Sequence, residues 1–355
     1  MRKLVIDRAA IKNNLTVIKD RAAGAAIYGV LTGDGQGVGT AALAQLLRDE
    51  GIGRFAVSEV SEAEALRQAG FVDEEILMLR ATTDREELER LVDLNVVCTV
   101  SSVDTGMALN ALAGNRSTVA EAHIQVDTGM GFGGFLVSEP EKLLLAYRSL
   151  PNVALSGVYT QLHAARPNDP QAKRQLEQFQ QALDAIHQAG FETGTVHAAG
   201  SFALLHGLAP ELDGVRAGSA ILGRCRRTRD DGLKTVGFGQ APLTEVRWLP
   251  KGHVLGVDRP VTLKKPTRVA VLPVGYQNGF GVTRPRETGL LAAIARWRKS
   301  NRRTVRLGSQ RARVLGGLGA SELILDVTDL KCSVGDLATF EMDPLFARGF
   351  QVEFR

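Results

Sequence analysis

The sequence predicts an α/β chain, a (β/α)8 TIM-like barrel followed by a mostly β C-terminal domain, and three observations carry that prediction. From about residue 25 to 220, short apolar runs alternate eight times with longer amphipathic stretches. Several of those runs end in glycine and small polar residues, as strand ends at the working face of a barrel do. After Gly237 the alternation stops, and short strand-like runs separated by turns take over.

Taken in order, residues 4–7 alternate as a strand expected to join the C-terminal domain, and residues 8–19 form a helix. The barrel units pair strand 26–31 with helix 41–50, 55–58 with 61–69, 76–79 with 85–94, and 96–100 with 103–113. They continue with 122–127 and 139–148, 154–161 and 172–189, 195–198 and 201–208, and a weaker eighth strand at 214–216. The second domain has strands at 244–248, 268–274, 311–315, 323–327 and 337–341, interrupted by a helical insert at 287–300. The expected boundaries are 8–236 for the barrel and 237–355 for the β domain, with residues 1–7 adding a strand to the latter.

At 355 residues the chain is long enough to bury a sizeable core in each part. No apolar run approaches the roughly 20 residues of a spanning helix, and no charged-then-apolar leader opens the chain. Cys98, Cys225 and Cys332 are widely spaced, so neither a disulfide framework nor a metal site is expected, and a cytoplasmic setting is. The net charge of +4 does not by itself imply a nucleic-acid partner. The excess is concentrated between Arg284 and Arg313, where ten basic residues accompany Glu287 as the single acid, a strip suited to an acidic partner.

Four stretches at strand ends hold the candidate chemistry. They are residues 26–39 (AIYGVLTGDGQGVG), 124–135 (IQVDTGMGFGGF), 157–165 (GVYTQLHAA), and 197–223, with HAAGS and VRAGSAILG at its ends. Their order and flanks, together with VGYQNG at 274–279, resemble the alanine racemase family over nearly the whole chain. That resemblance implies a barrel plus β domain, a dimer, and pyridoxal phosphate held as a Schiff base by a lysine after the first barrel strand.

Carried over position by position, the resemblance places that lysine on Thr32, the phosphate-contacting tyrosine on Gln36 and a histidine on Val38. The orienting lysine and arginine fall on Gln125 and Phe132, a histidine on Gln161, and an asparagine on Gly200. The second racemisation base falls on Val257, a Met-Asp pair on Ala320 and Ser321, and a late tyrosine on Phe350. Two-base racemisation needs an amine and a base on each face of the substrate. The expectation is therefore an alanine-racemase-like pseudoenzyme with a degenerate cofactor site and no cofactor, acting as a binding or regulatory protein. The alternatives are a pyridoxal-phosphate-independent enzyme on an amino acid or phosphorylated small molecule, and an active amino-acid racemase.

Arg216 matches the family arginine that faces the cofactor ring. A buried guanidinium needs a counter-charge, so it either pairs with Asp34 or Asp127 or holds a small anion or amino acid. Ser201 and the amides of Gly218 and Ser219 match the family's phosphate cup, and His163 and His197 are the nearby acid–base candidates. The expected assembly is a homodimer, or a heterodimer with a related chain.

Overall fold

The computed structural model describes residues 1–163, 169–208, 211–225, 231–256, 260–282 and 303–355. The chain divides into two compact units, Ala9–Thr235 and Met1–Arg8 with Val236–Arg355.

Strand β1 (Lys3–Ile6) belongs to the second unit. The first unit carries β2 (Ala26–Val30), β3 (Arg54–Val57), β4 (Glu75–Met78), β5 (Cys98–Val100) and β6 (Ala120–Asp127) with a short β7 (Phe135–Leu136) beside it. It continues with β8 (Val153–Tyr159), β9 (Thr195–Gly200) and β10 (Gly214–Ala217). The sheet is parallel throughout, in the order β4-β3-β2-β10-β9-β8-β6-β5. Its two ends meet at the bridge Leu77↔Val97, where the Met78 amide bonds the Val97 carbonyl at 2.9 Å and the Val97 amide the Ile76 carbonyl at 2.8 Å. The eight-stranded barrel expected from the alternation is thus nearly closed.

The enclosing helices are α1 (Arg8–Ala22), α2 (Thr40–Asp49), α3 (Val60–Gln68), α4 (Arg85–Asp93), α5 (Val103–Asn115), α6 (Pro140–Ser149), α7 (Pro170–Gln188) and α8 (Ser201–Leu205). Their starts follow local chemistry. Asp84, Ser102 and Asp169 accept the amides of Glu87, Thr105 and Gln171, satisfying first-turn donors that have no partner within the helix. Leu43, Ala44 and Leu47 turn one stripe of α2 into the core, the 3.6-residue period that predicted it.

In the second unit, β11 (Phe238–Pro242), β12 (Glu245–Leu249), β15 (Thr267–Leu272), β16 (Thr304–Leu307), β17 (Gln310–Leu315), β18 (Leu323–Asp326), β19 (Leu337–Glu341) and β20 (Gln351–Phe354) join β1 in one sheet. A small hairpin, β13 (Val254–Leu255) with β14 (Val261–Thr262), places Leu255 in a cluster with Leu249, Leu263 and Val269. Strand β1 pairs antiparallel with β11 and parallel with β20. The sequence did not single out β11, β16 or β20. In β11 (FGQAP) glycine, glutamine and proline give little strand propensity, while β16 (TVRL) and β20 (QVEF) are only four residues long, and pairing on a formed sheet decides all three. The insert at 287–300 lies outside the described residues. Among the described residues, no helix is long and apolar enough to cross a membrane.

Candidate functional site

The chain leaving β2 makes an unusual turn. Gly33, Asp34, Gly35 and Gln36 have φ of 73, 53, 60 and 57°, four successive residues in the left-handed region. Two are glycine and lose little there, whereas Asp34 and Gln36 each bear the cost of a Cβ crowding the carbonyl, about 1–2 kcal/mol. Such a conformation persists only where its surroundings hold it. The Gly35 amide bonds the Leu31 carbonyl at 2.7 Å, and the Gly39 amide bonds the Asp34 carbonyl at 2.9 Å. The Gln36 side-chain amide donates to the carbonyl and hydroxyl of Thr32 at 3.0 and 3.1 Å.

Glu62, buried at the start of α3, accepts the amides of Asp34, Ser58 and Glu59 at 3.1, 2.9 and 3.2 Å. One carboxylate thus clamps the turn to the next rim loop. Glu62→Gln sets an NH2 against at least one of those N–H groups, and is expected to lower stability by about 1–3 kcal/mol. The urea midpoint reads this directly, and an unchanged midpoint would show that the clamp carries nothing.

Asp34 does not pair with Arg216. Its Oδ1 accepts the amide and hydroxyl of Thr40 at 2.9 and 3.1 Å, anchoring the first turn of α2. Asp127 does not pair with it either, because its carboxylate caps the amides of Gly129, Met130 and Gly131.

Arg216, 4% exposed on β10, instead meets only neutral acceptors. One terminal nitrogen lies 2.6 Å from His197 Nδ1 and 3.2 Å from the His197 carbonyl. The other donates to the Thr160 carbonyl at 2.7 Å, Gln161 Oε1 at 2.9 Å and the Ala198 carbonyl at 3.3 Å. Burial lowers its pKa to about 10, so it remains a cation at neutral pH without a carboxylate among its contacts.

The guanidinium also fixes the proton positions behind it, since it only donates. His197 Nδ1 must therefore accept, which puts the His197 proton on Nε2, facing His123 Nδ1 at 3.0 Å. His123 in turn carries its proton on Nε2. Burial, with Arg216 beside them, pushes His123 down to about 4 and His197 well below its ordinary value. Tyr28 and Tyr159 stack on the two faces of His197 at centroid distances of 5.1 and 5.0 Å. Room for the rings comes from glycines. A Cβ on Gly157 would lie 2.6 Å from His123 Nε2, and one on Gly214 would lie 3.3 Å from both His197 Cβ and Tyr28 Cε2.

Beside the arginine, Ser201 Oγ accepts the amides of Gly218 and Ala220 at 2.9 and 3.2 Å. A Cβ on Gly218 would meet Val30 at 3.1 Å and Gln36 Nε2 at 3.6 Å, so this loop is folded against the left-handed turn. Gly200 lies at the same rim, with the Gln161 amide 3.3 Å from its Cβ direction. Arg216, His197, Gln161, Ser201, Gly218, Gln36 and Thr32 therefore form one neighbourhood.

The other candidates fall elsewhere. His163 is exposed, with its backbone amide bonded to Gln175. Val38 is buried in the core, Gln125 is half-buried, and Phe132 is 80% exposed. Ala320, Ser321 and Phe350 belong to the second unit, where the Ala320 carbonyl accepts the Gln277 amide and Phe350 rests edge-on to Phe340. Val257 lies outside the described residues, as do residues 284–302 of the basic strip, while Arg306, Arg311 and Arg313 are exposed on β16 and β17. Tyr28, His123, Tyr159 and Glu62 were missed by sequence reasoning. For the first three, the available signal was their place in strand parity with His197 and Arg216 inside the barrel.

Two family models match the chain: alanine racemase, N-terminal domain, over residues 6–225, and alanine racemase, C-terminal domain, over residues 239–344. The alanine racemase of Desulfovibrio desulfuricans is 30% identical over 341 residues, which cover 93% of this chain and 86% of that protein. That of Clostridium novyi is 27% identical over 337 residues, 93% and 82% of the two chains. Among solved structures, the alanine racemase of Clostridium difficile 630 aligns with a TM-score of 0.86 at 21% identity, covering 100% of this chain and 95% of that one. The alanine racemase of Bartonella henselae with covalently bound pyridoxal phosphate aligns at 0.83 and 20%, covering 100% and 99%.

These findings correct three expectations. The pseudoenzyme reading gives way, because relatives matched along nearly the whole chain are alanine racemases. The reading of a degenerate site without cofactor gives way too, because the matched family includes a structural neighbour with bound pyridoxal phosphate. The pyridoxal-phosphate-independent enzyme yields to the amino-acid racemase, the alternative the relatives favour.

Proposed function

The chain belongs to the alanine racemase family, and from that premise we propose that it interconverts the mirror forms of an amino acid using pyridoxal phosphate at the C-terminal rim of its barrel. The observation that carries this reading is Arg216, a buried cation surrounded by neutral acceptors and set beside the amide-rich Ser201 and Gly218 loop. A site of that charge favours an anionic ligand.

Ser201, Gly218 and Ser219 would hold the phosphate, and Arg216 would face the ring nitrogen. When bound, the group supplies an electron sink for charge developing at the substrate α-carbon. His197 and Gln161 hold the guanidinium in place, and Tyr159 and Tyr28 close the space behind it to water. The fit is incomplete at one point. Thr32, where the resemblance implies the anchoring lysine, has no amine, and its hydroxyl is engaged by Gln36. We therefore also propose a divergent member of the family at that position, and we derive no step through a bond between Thr32 and the cofactor. A homodimer is the assembly that goes with this reading.

The test is fluorescence titration of the purified protein with pyridoxal phosphate, together with chiral chromatography of L-alanine incubated with the mixture. Saturable binding and appearance of D-alanine are expected. Ser201→Ala, which removes the hydroxyl that gathers the Gly218 and Ala220 amides, should weaken binding about tenfold. No saturation at millimolar cofactor, or no D-alanine, would overturn the reading.

A further inference from the structure

The mismatch at Thr32 has a consequence for which ligands the site accepts, and it rests on the function proposed above. A lysine holder favours the aldehyde form of the vitamin because only that form bonds to it. Here the rim offers no such amine. The lysines of the barrel unit are Lys12, Lys19, Lys142, Lys173 and Lys234. Lys12 and Lys19, on α1, pair with Glu50, and Lys142, on α6, pairs with Glu139. Lys173 is exposed on α7, and Lys234 lies in the segment that bonds Asn14 on α1. None follows a barrel strand.

The vacated role is not left open to a neighbour. Gln36, 7% exposed, spends its amide on the carbonyl and hydroxyl of Thr32, and the three left-handed residues between them are held by Glu62, Leu31 and Thr40. What can still read a ligand is the positive charge of Arg216 together with the Ser201 hydroxyl and the Ser219 amide, the Gly218 amide being bonded to Ser201 Oγ. These read a phosphate and a ring, and are indifferent to whether the ring carries an aldehyde or an amine. We infer that this chain holds its pyridoxal ligand without a covalent bond to protein, and so accepts the amine form, pyridoxamine 5′-phosphate, as well as the aldehyde.

The experiment uses the full chain with two probes, pyridoxal 5′-phosphate and pyridoxamine 5′-phosphate. Titration calorimetry is expected to give dissociation constants within about threefold of each other. Borohydride treatment of the aldehyde complex, followed by intact mass and peptide mapping, is expected to leave no stoichiometric pyridoxyl group on any lysine. Thr32→Lys should reverse both results, favouring the aldehyde by about tenfold or more and fixing it at residue 32. Ser201→Ala, which leaves the turn intact, should weaken both forms by the same factor. An aldehyde preference above tenfold in the native chain, or a stoichiometric adduct on one of its lysines, would overturn the inference while leaving the proposed function standing. Failure of both probes to bind would overturn the two together.

Discussion

Gly157→Ala is expected to lower the stability of the barrel by about 3 kcal/mol, at the upper end of what overpacking a core costs. His123 and Gly157 face each other across β6 and β8, just past an irregularity in their register at Ala122. An added Cβ would meet His123 Nε2, Cδ2 and Cε1 at 2.6–2.7 Å, so it would strike the whole imidazole and not one flexible end of it. The ring has nowhere to retreat, being 2% exposed and tied through Nδ1 to His197, which Tyr28 and Tyr159 clamp on both faces. Any shift would pass along His197 to Arg216, so weaker ligand binding should accompany the lost stability. Urea unfolding measures the first effect and titration the second. A change below about 0.5 kcal/mol would show that the interior is looser than its contacts indicate.

Stability is also expected to fall as pH drops from about 6.5 to about 4, by a few kcal/mol in total. In the unfolded chain His123 and His197 take up protons near 6.5, whereas in the fold His123 does so only near 4 and His197 well below its ordinary value, since burial and Arg216 disfavour the charge. Across that window the unfolded state binds more protons, so acid pulls the equilibrium toward it. Above 6.5 both imidazoles are neutral in either state and the effect vanishes. The facing groups add no acid that would reverse the sign. They are Arg216, the more distant Arg54, Tyr28 and Tyr159, with both tyrosine pKa values raised by burial. Carboxylates held low by basic neighbours, such as Glu87 beside Arg80, contribute at still lower pH. Denaturation midpoints at pH 7.5, 6, 5 and 4.5 test this. A flat profile would mean that the pair takes up protons in the fold as readily as in the unfolded chain, and His197→Gln, which leaves His123 to titrate alone, should reduce the native slope.

The architecture was legible because it depends on periodicity. Eight apolar runs alternating with amphipathic stretches leave few other ways to bury their surface, and the expected strands at 26–31, 55–58 and 76–79 fall within a residue of β2, β3 and β4. The β domain was legible more coarsely. Strand β19 matches its expected bounds, while β11 and β20 acquire their conformation from the neighbours they pair with.

The site was legible as a set of positions, and its partnerships were not. Which carboxylate answers Arg216 is a question of distances between strands β2, β6, β9 and β10, and periodicity says nothing about those. The sequence alone established that Thr32 carries no amine, because that is fixed by the residue itself. Only the tertiary structure decided that Asp34 and Asp127 spend their charge on local amides, and that Arg216 is left as a cation among neutral groups. It also decided that the neutral pair His197 and His123 stands behind that cation. The physical reason is common to all three: burial and hydrogen-bond geometry set the energy of a charge, and both arise only when distant strands are brought side by side.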